Sequence, residues 1–389
     1  MLRIPCAERA GWEQLAEEFG FRFYAIDGEA YWDESAYYQF TLAQIERDIE
    51  DPTAELHQMC LAVVDAVVAD EQLLRKCCIP PEHWELVRDS WLASEPSLYS
   101  RMDFAYDGRG PAKLYENNAD TPTSLYETGF WQWLWLEQQV NDGVLGRDAD
   151  QFNSLQDKLV ERFAQLALDK PGEVLYFSCS KDSEEDRGTV QYLEDCASEA
   201  GVPNAFIYIE DIGEGEQGAL TDLEDRIIRW MFKLYPWEFM LREDYSRLLP
   251  GAAVSWLEPP WKSVLSNKAL LPLLWQRFPA HPNLLPAYFE DDLANSGLQQ
   301  FVKKPIFARE GANVAIYREG REVLASPGPY GEEGFIYQDY APLPKFGGNY
   351  TLLGSWLVDD QPAGLSVRED HSLITQDSAR YLPHIIKDY

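Results

Sequence analysis

One stretch of the chain, Ser100–Glu127, collects residues whose types and spacing could do chemistry on a charged substrate. Arg101 and Asp103 lie two positions apart before a glycine-rich turn, and Glu116 and Asn118 lie two positions apart after it. Residues at i and i+2 of a strand share one face, so in a hairpin all four side chains can point into a single cleft. A cation beside carboxylate and amide oxygens is suited to binding an anion and a metal ion together. We therefore interpret this stretch as a site.

Lysines are scarce in this acidic chain, and three of them have a conspicuous context. Lys268 precedes an apolar helix start, and Lys303 and Lys304 end a strand-like run before a glycine-containing turn. A strand lysine beside such a turn is suited to holding phosphate. The alternative is that Lys303 and Lys304 form a charged pair on an edge strand. Because neighbours on a strand face opposite sides, a register shift of one residue would exchange their roles.

The elements that must position these residues change character along the chain. The first part is predicted to be helical, the middle to alternate helix and strand, and the last third to consist of strand-like pieces with proline and glycine between them. Helical spacing covers residues 8–18, 36–50, 53–77 and 82–93, and an aromatic helix at 124–139 is predicted to be core. The predicted α/β subdomain has helices at 150–168 and 186–200 and strands at 174–179 and 205–209.

Composition limits the class of protein. The chain has 389 residues with 46% hydrophobic content, enough for one multilobed enzyme or two to three subdomains. Its 66 acidic and 33 basic residues give a net charge of −33, which repels nucleic acid and anionic membranes and would attract a polycation. The alternative is that this charge serves solubility alone. With no long apolar run and no signal-peptide pattern, a soluble cytoplasmic protein is expected.

Several familiar motifs are absent or weak. The six cysteines form no CxxC pair and no zinc spacing, so neither disulfides nor zinc are indicated. Gly213, Gly215 and Gly218 spell GxGxxG, but Glu214 and Glu216 between them would repel a pyrophosphate, so we interpret this segment as an acidic surface loop. No P-loop, HExxH or GxSxG occurs.

Nearly the whole chain resembles the synthetase domain of the glutathionylspermidine synthase family. The resemblance rests on the block RMDF…KLYENNADTPTSLYE and, downstream, on SNKALLP, KKPIFAREGAN, IYQ and SVRED. It implies an α+β ATP-grasp fold with mixed and antiparallel sheets across residues 1–389. The parts are a helical N-terminal region near 1–99, a site hairpin at 100–127, an inserted α/β subdomain near 150–215 and a nucleotide-binding part near 255–389. Bifunctional members add an amidase domain; this chain begins at the synthetase part, so no amidase activity is expected.

The resemblance implies a reaction and a metal site. In the family, ATP phosphorylates the glycine carboxylate of glutathione, and an amine of spermidine attacks the resulting acyl phosphate to form an amide. ATP and Mg²⁺ are thus the implied cofactors, and Asp103, Glu116 and Asn118 match the metal positions. Arg101 matches the arginine that holds the acceptor carboxylate and steadies the transferring phosphoryl group.

Other positions match the family's substrate and nucleotide sites. Thr121 and Thr123 stand where the family uses small hydroxyl residues to contact the peptide; the alternative is an ordinary turn and helix cap. Lys268 and Lys304 match two phosphate-binding lysines, and the turn 309–313 resembles a loop that closes over the triphosphate. The nucleotide-binding set is Lys268, Lys304, Arg309, Gly311, Gln338 for a backbone contact to adenine, and Arg368.

The amine substrate and the partners are less determined. Carboxylates suited to a cationic amine include Glu210, Asp211, Glu238 and Asp370. The expected partners are a peptide carboxylate such as glutathione and a polyamine, with neither nucleic acid nor membrane. Alternatives are a ligase for a different acid and amine, a non-catalytic regulatory relative, and a metal-dependent hydrolase. No feature sets the oligomeric state, and a homodimer is one alternative because small-molecule ligases are often dimers.

Overall fold

A computed structural model describes residues 1–26, 28–376 and 378–388, and its largest sheet is a six-stranded antiparallel sheet. The two longest strands of this sheet form a hairpin. Asp359 and Asp360 make its two-residue turn with φ angles of 49° and 60°, which suit the twist of paired strands. In sheet order the strands are Arg380–Leu382, Gln361–Asp370, Asn349–Val358, Tyr99–Ala105 and Lys113–Asn118, with Lys345–Phe346 beside Asn349–Val358.

The predicted site hairpin is confirmed as two neighbouring strands of this sheet. Strand Tyr99–Ala105 is buried along its whole length. Its register with Lys113–Asn118 places Arg101 opposite Asn118 and Asp103 opposite Glu116. The sheet therefore presents these side chains from adjacent positions on two strands.

A five-stranded antiparallel sheet carries Lys303 and Lys304, whereas Lys268 lies just before helix Leu270–Arg277. In this sheet Val302 lies opposite Gln338, and Lys304 lies opposite Ile336. The strands in order are Ala287–Phe289, Phe335–Asp339, Gln300–Pro305, Ala315–Arg318 and Arg321–Ala325.

The predicted α/β subdomain contains a four-stranded parallel sheet. Helices Leu155–Leu168 and Glu184–Glu199 and strand Leu175–Cys179 lie close to their predicted positions. The sheet reaches beyond the predicted range near 150–215, because two of its strands come from later in the chain. Its strands in order are Ser255–Leu257, Trp230–Leu234, Leu175–Cys179 and Asn204–Phe206.

The helical prediction for residues 36–50 was wrong at its start. Ala36–Phe40 is a strand that pairs with Leu2–Pro5 on one side and with His384–Ile386 on the other. These partners lie far away in sequence, so local spacing carries no signal for them. The N-terminal helices are Trp12–Glu18, Leu42–Ile45, Asp51–Val68, Glu71–Lys76 and Trp84–Leu92, with a π-helical turn Glu46–Glu50 and a 3₁₀ turn Pro81–His83.

The aromatic helix is part of the core, as predicted. A π-helical turn Glu127–Trp131 leads into helix Gln132–Asn141, and Trp131 and Trp135 are fully buried. The remaining helices are Trp237–Met240, Lys262–Leu265, Leu270–Arg277 and Glu290–Leu293, with 3₁₀ turns at Ile209–Asp211, Glu216–Gly218 and Asp244–Gly251. The small strand pairs are Ala25–Ile26 with Glu29–Ala30 and Gly213–Glu214 with Leu220–Thr221.

The segment that contains GxGxxG lies outside the site. Strand Gly213–Glu214 turns back onto Leu220–Thr221, and the exposed Glu214 pairs with Arg247 at 2.7 Å. All six cysteines are free thiols, and four of them are buried. None of the helices in the described part of the chain is long and apolar enough to cross a membrane.

Candidate active site

One large cavity of about 760 Å³ brings together every residue predicted for the site. Its wall includes side chains from all three large sheets. The predicted residues in its lining are Arg101, Asp103, Glu116, Asn118, Thr121, Thr123, Lys268, Lys304, Arg309, Gly311, Gln338 and Arg368. Sequence positions up to 267 apart thus meet in one space, although the role of each residue stays a prediction at this point.

Asp103 is the centre of a buried ion cluster. Its Oδ1 accepts a hydrogen bond from Nε of Arg101 at 2.8 Å, and its Oδ2 accepts one from Arg368 at 2.8 Å. Nδ2 of Asn118 donates to the same Oδ2 at 3.2 Å. Arg101 also donates to the carbonyl of Thr123 at 3.0 Å. These bonds fix the guanidinium between the hairpin and the loop that follows it.

Glu116 faces Lys268 and Lys304, the two lysines predicted to bind phosphate. Its Oε2 lies 3.1 Å from Nζ of Lys268. Burial alone would raise the pKa of Glu116, but Lys268 and then Lys304 outweigh it and lower that pKa to about 2. The carboxylate is therefore ionised at neutral pH and available as a hard oxygen ligand.

The hairpin side chains fit a magnesium site that phosphate oxygens complete. Within residues 1–26, 28–376 and 378–388, no group of three or more His, Cys, Asp or Glu side chains is arranged to hold a metal ion. Mg²⁺ takes one or two carboxylates and keeps its other positions for water and substrate phosphates. The carboxylates of Asp103 and Glu116 with the amide of Asn118 match that donor set.

The structure distinguishes between the two adjacent lysines. Nζ of Lys304 donates to Oε1 of Gln338 at 2.7 Å and to the carbonyl of Tyr115 at 3.0 Å, inside the cavity. Nζ of Lys303 lies 3.8 Å from the centre of the Phe335 ring, and Lys303 is not part of the cavity wall. Burial lowers the pKa of Lys304 to about 8. Of the two lysines, Lys304 therefore faces the cavity, and its role towards phosphate stays a prediction.

Replacing Lys304 by methionine is expected to raise KM for ATP about 100-fold, since the variant keeps the side-chain volume and loses the charge beside the phosphates. Lys303→Met is the matched control and is expected to leave KM for ATP within about threefold. Steady-state kinetics with varied ATP measures both. Equal effects in the two variants would contradict the assignment.

The cavity wall next to Gln338 is largely apolar. Gln338 lies between Ala287 and Val302 on neighbouring strands, and its Nε2 donates to the carbonyl of Leu114 at 3.1 Å. Its side chain thus orients Lys304, while its predicted backbone contact to adenine stays a prediction. The apolar lining here is Val302, Val314, Ile316, Leu343, Leu352 and Ile374, and the chain leaves the sheet through Asp339, Tyr340 and Ala341.

Arg309 links the predicted acid-binding loop to the opposite wall. Its Nη1 donates to Oγ1 of Thr121 at 2.9 Å, and its Nη2 donates to Glu238 at 3.1 Å. Gly311 has a φ of 68°, and a Cβ at this position would lie 2.6 Å from the carbonyl of Thr375. Only glycine allows the loop to approach that closely. Nε of Arg309 is buried and lacks a hydrogen-bond partner among the described residues.

An acidic wall that the sequence did not single out lies near Arg101. The hydroxyl of Tyr31 donates to Oε1 of Glu127 at 2.7 Å and lies 3.1 Å from Oε1 of Glu185. It also lies 3.3 Å from Oγ of Ser124, which in turn bonds the hydroxyl of Tyr381. Tyr31, Ser124 and Tyr381 line the cavity, and their hydroxyl groups form a chain that reaches the carboxyl groups of Glu127 and Glu185.

Glu127 is held in its neutral form. Burial is the largest cause and the charge of Glu185 the second, and together they raise the pKa of Glu127 to about 8. Two carboxylates close together in a buried site cannot both ionise easily. Burial likewise raises the pKa of Asp186 to about 6. The acidic side chains in the cavity lining here are Asp182, Glu185, Asp186, Glu210 and Glu238.

The four carboxylates suggested for the amine lie in different places. Glu210 and Glu238 line the cavity. Asp211 instead pairs with Lys181 at 2.5 Å, and Asp370 accepts bonds from the backbone of Ser372 and Gln376. Asp211 and Asp370 are thus engaged outside the described cavity lining, and the acidic wall is better represented by Glu185 and Asp186.

Fold and cavity together define an ATP-grasp protein of the glutathione synthetase-like type. A structural relative is a glutathione synthetase-like effector from Globodera pallida, with a TM-score of 0.55 and 11% identity over 99% of both chains, which shows the fold alone. The α+β class predicted from the sequence is confirmed. The chain belongs to the glutathionylspermidine synthase family: it matches the family described as "Glutathionylspermidine synthase preATP-grasp" over residues 3–387.

Curated relatives indicate a carbon–nitrogen ligase. The chain is 41% identical over 381 residues to a Haemophilus influenzae protein named "Putative acid--amine ligase", covering 94% of each protein. It is 29% identical to the trypanothione synthetase of Crithidia fasciculata, over 82% of this chain and 52% of that protein. It is also 29% identical to the bifunctional glutathionylspermidine synthetase/amidase of Escherichia coli, over 91% of this chain and 60% of that protein.

Proposed function

We propose that the protein is an ATP- and Mg²⁺-dependent ligase that joins a carboxylate to an amine through an acyl phosphate. The leading substrates are the glycine carboxylate of glutathione or a similar peptide, and spermidine or a related amine. One observation carries the proposal: a single cavity is lined by Lys268 and Lys304, by the Arg101–Asp103–Arg368 cluster and by several carboxylates.

The nucleotide end binds and orients ATP. Lys268 and Lys304 supply positive charge to the phosphates, and the apolar wall around Val302 and Ile316 receives adenine. Asp103, Glu116 and Asn118 would hold Mg²⁺, which would neutralise negative charge on the phosphates when bound. The loop around Gly311 would exclude water from a hydrolysable acyl phosphate.

The middle of the cavity activates the acid. Arg101 has a fork geometry that matches a carboxylate, and its bonds to Asp103 and Thr123 set its orientation in advance. Arg309, which the sequence assigned to the nucleotide, donates to Thr121, so we propose instead that it approaches the acid from the opposite wall. Fixed donors of this kind stabilise charge that develops during transfer, because they need no reorganisation.

The acidic wall binds the amine and takes its proton. A polyamine is cationic at neutral pH, so the carboxylates of Glu185 and Asp186 attract it. Attack needs a neutral nitrogen, so one N–H bond must break and its proton must pass to a carboxylate oxygen. The neutral amine nitrogen then bonds to the acyl carbon, the C–O bond to phosphate breaks, and the second proton lost by the nitrogen leaves with the phosphate.

The proposal is tested by incubating purified protein with ATP, Mg²⁺ and panels of peptides and amines that include glutathione and spermidine. ADP release together with an amide product of the summed mass is the expected result, and a chelator should stop both. Product from another acid–amine pair would support the ligase and correct its substrates. Absence of ADP with every pair, together with no nucleotide binding, would contradict it.

A further inference from the structure

A buried ion pair behind the cavity wall is not used by the proposed reaction. Nζ of Lys233 lies 2.5 Å from Oδ1 of Asp120, and both side chains are fully buried. Neither residue lines the cavity. Burying two charges costs desolvation free energy that their attraction only partly returns, so such a pair is weak evidence for stability alone. The segments that this ion pair connects are therefore more informative about its role than its contribution to folding stability.

Asp120 connects three segments at one point. It lies between Asn118 and Thr121 on the loop that leaves the site hairpin. Its Oδ1 bonds Lys233, in strand Trp230–Leu234 of the parallel sheet, and its Oδ2 accepts the backbone N–H of Trp237 at 2.7 Å. Nζ of Lys233 also lies 4.6 Å from the centre of a Trp237 ring. One carboxylate thus ties the loop to the rigid sheet and to the next segment of the wall.

This connection closes a ring around Arg309. Trp237 is followed directly by Glu238, which accepts a hydrogen bond from Arg309, and Asp120 is followed directly by Thr121, which accepts the other. Asp120 therefore sets the distance between the two acceptors of Arg309, because it directly precedes Thr121 and bonds Trp237, which directly precedes Glu238. A shift of about 1 Å in such a ring can cost about 100-fold in rate.

We infer that Asp120, held by Lys233, is a positioning residue for the acid substrate: it places Thr121 and Glu238 so that Arg309 reaches the carboxylate. This inference rests on the proposed function for its substrate. Neither residue lines the cavity, so the effect should fall on the acid and spare ATP, because Lys268 and Lys304 lie in other segments of the chain.

Two double variants separate positioning from stability. Asp120→Asn/Lys233→Met removes both charges and keeps an acceptor for the N–H of Trp237. Asp120→Ala/Lys233→Met removes that acceptor as well. We expect kcat/KM for the acid to fall about 100-fold in the alanine variant and less than about tenfold in the asparagine variant, with KM for ATP within about threefold in both.

Arg9→Met/Glu34→Gln is the control, because it removes another buried ion pair and neither of its residues lines the cavity. It is expected to lower thermal stability and leave kcat/KM for the acid within about threefold. Equal kinetic losses in the alanine, asparagine and control variants would overturn the inference and leave Asp120 a structural residue.

A second measurement does not depend on turnover. Amide hydrogen exchange of residues 306–313 should rise in the alanine variant and stay near wild type in the asparagine variant. Unchanged exchange in the alanine variant would overturn the inference even in an active enzyme. A wild-type protein that turns over no substrate pair would contradict the proposed function, and the exchange result would still decide the role of Asp120.

Discussion

Arg101→Met is expected to lower kcat about 1000-fold, while ATP binding changes less than about threefold. The guanidinium is held by Asp103 at 2.8 Å and by the carbonyl of Thr123 at 3.0 Å, and it lies 5.4 Å from the centre of a Trp356 ring. It is therefore aligned before substrate arrives. Product formation and ADP release measure kcat, and nucleotide titration measures binding, which depends on Lys268 and Lys304.

The same variant is expected to lose about 3 kcal/mol of folding free energy, because Asp103 stays buried. Arg368 and Asn118 still bond its Oδ2, which limits the loss. Arg101→Lys separates the two effects: it keeps the charge and loses the fork, so stability should largely return while turnover stays low. Urea unfolding gives the stability of each variant. A folded Arg101→Met protein that retains a tenth of wild-type turnover would remove Arg101 from the reaction.

Local pattern was enough to predict the hairpin at the centre of the site. Arg101 with Asp103, and Glu116 with Asn118, are i, i+2 pairs on either side of a turn, and their pairing needs only short-range contacts. The same pattern could not choose between Lys303 and Lys304. That choice depends on which face of the strand looks into the cavity, and only the assembled sheet decides it.

The sequence alone could not identify the acidic wall and its neighbours, because these residues come from three distant segments of the chain. Tyr31, Glu127 and Glu185 meet only in the folded chain, and 66 acidic residues offer no local reason to prefer two of them. One signal was present: Glu127 is a carboxylate at the start of an aromatic helix that we interpreted as core. A charged group beside buried tryptophans needs a partner or a function.

The pH dependence of folding stability tests the buried carboxyl group of Glu127, which lies beside Glu185 of the acidic wall. The pKa of Glu127 is about 8 in the folded chain against an ordinary value of 4.5, so the folded state keeps a proton that the unfolded state loses. Folding stability should therefore be fully present below about pH 4.5 and fall as pH rises through 8, by about 5 kcal/mol in total. Glu127→Gln holds the neutral form at every pH and should remove most of this fall.

Urea unfolding at several pH values between 5 and 8.5 measures the effect. Glu199→Gln is the matched control, because Glu199 is exposed on the same helix as Glu185 and should leave the wild-type slope unchanged. Glu127→Gln should also raise KM for the amine about tenfold above pH 8. In wild type, Glu127 ionises at that pH and adds a negative charge beside Glu185, which the glutamine cannot supply. A slope in Glu127→Gln as steep as in wild type would remove Glu127 from the titration.

Tyr31→Phe distinguishes a shared proton from simple burial. The Tyr31 hydroxyl donates to Glu127, and this bond lowers the pKa that burial and Glu185 raise. Without the hydroxyl the pKa of Glu127 should rise further, so the fall in stability should continue to a higher pH than in wild type. The pH at which KM for the amine improves should move upward with it. If burial alone controlled the pKa of Glu127, the folding stability of the Tyr31→Phe variant and of wild type would depend on pH in the same way.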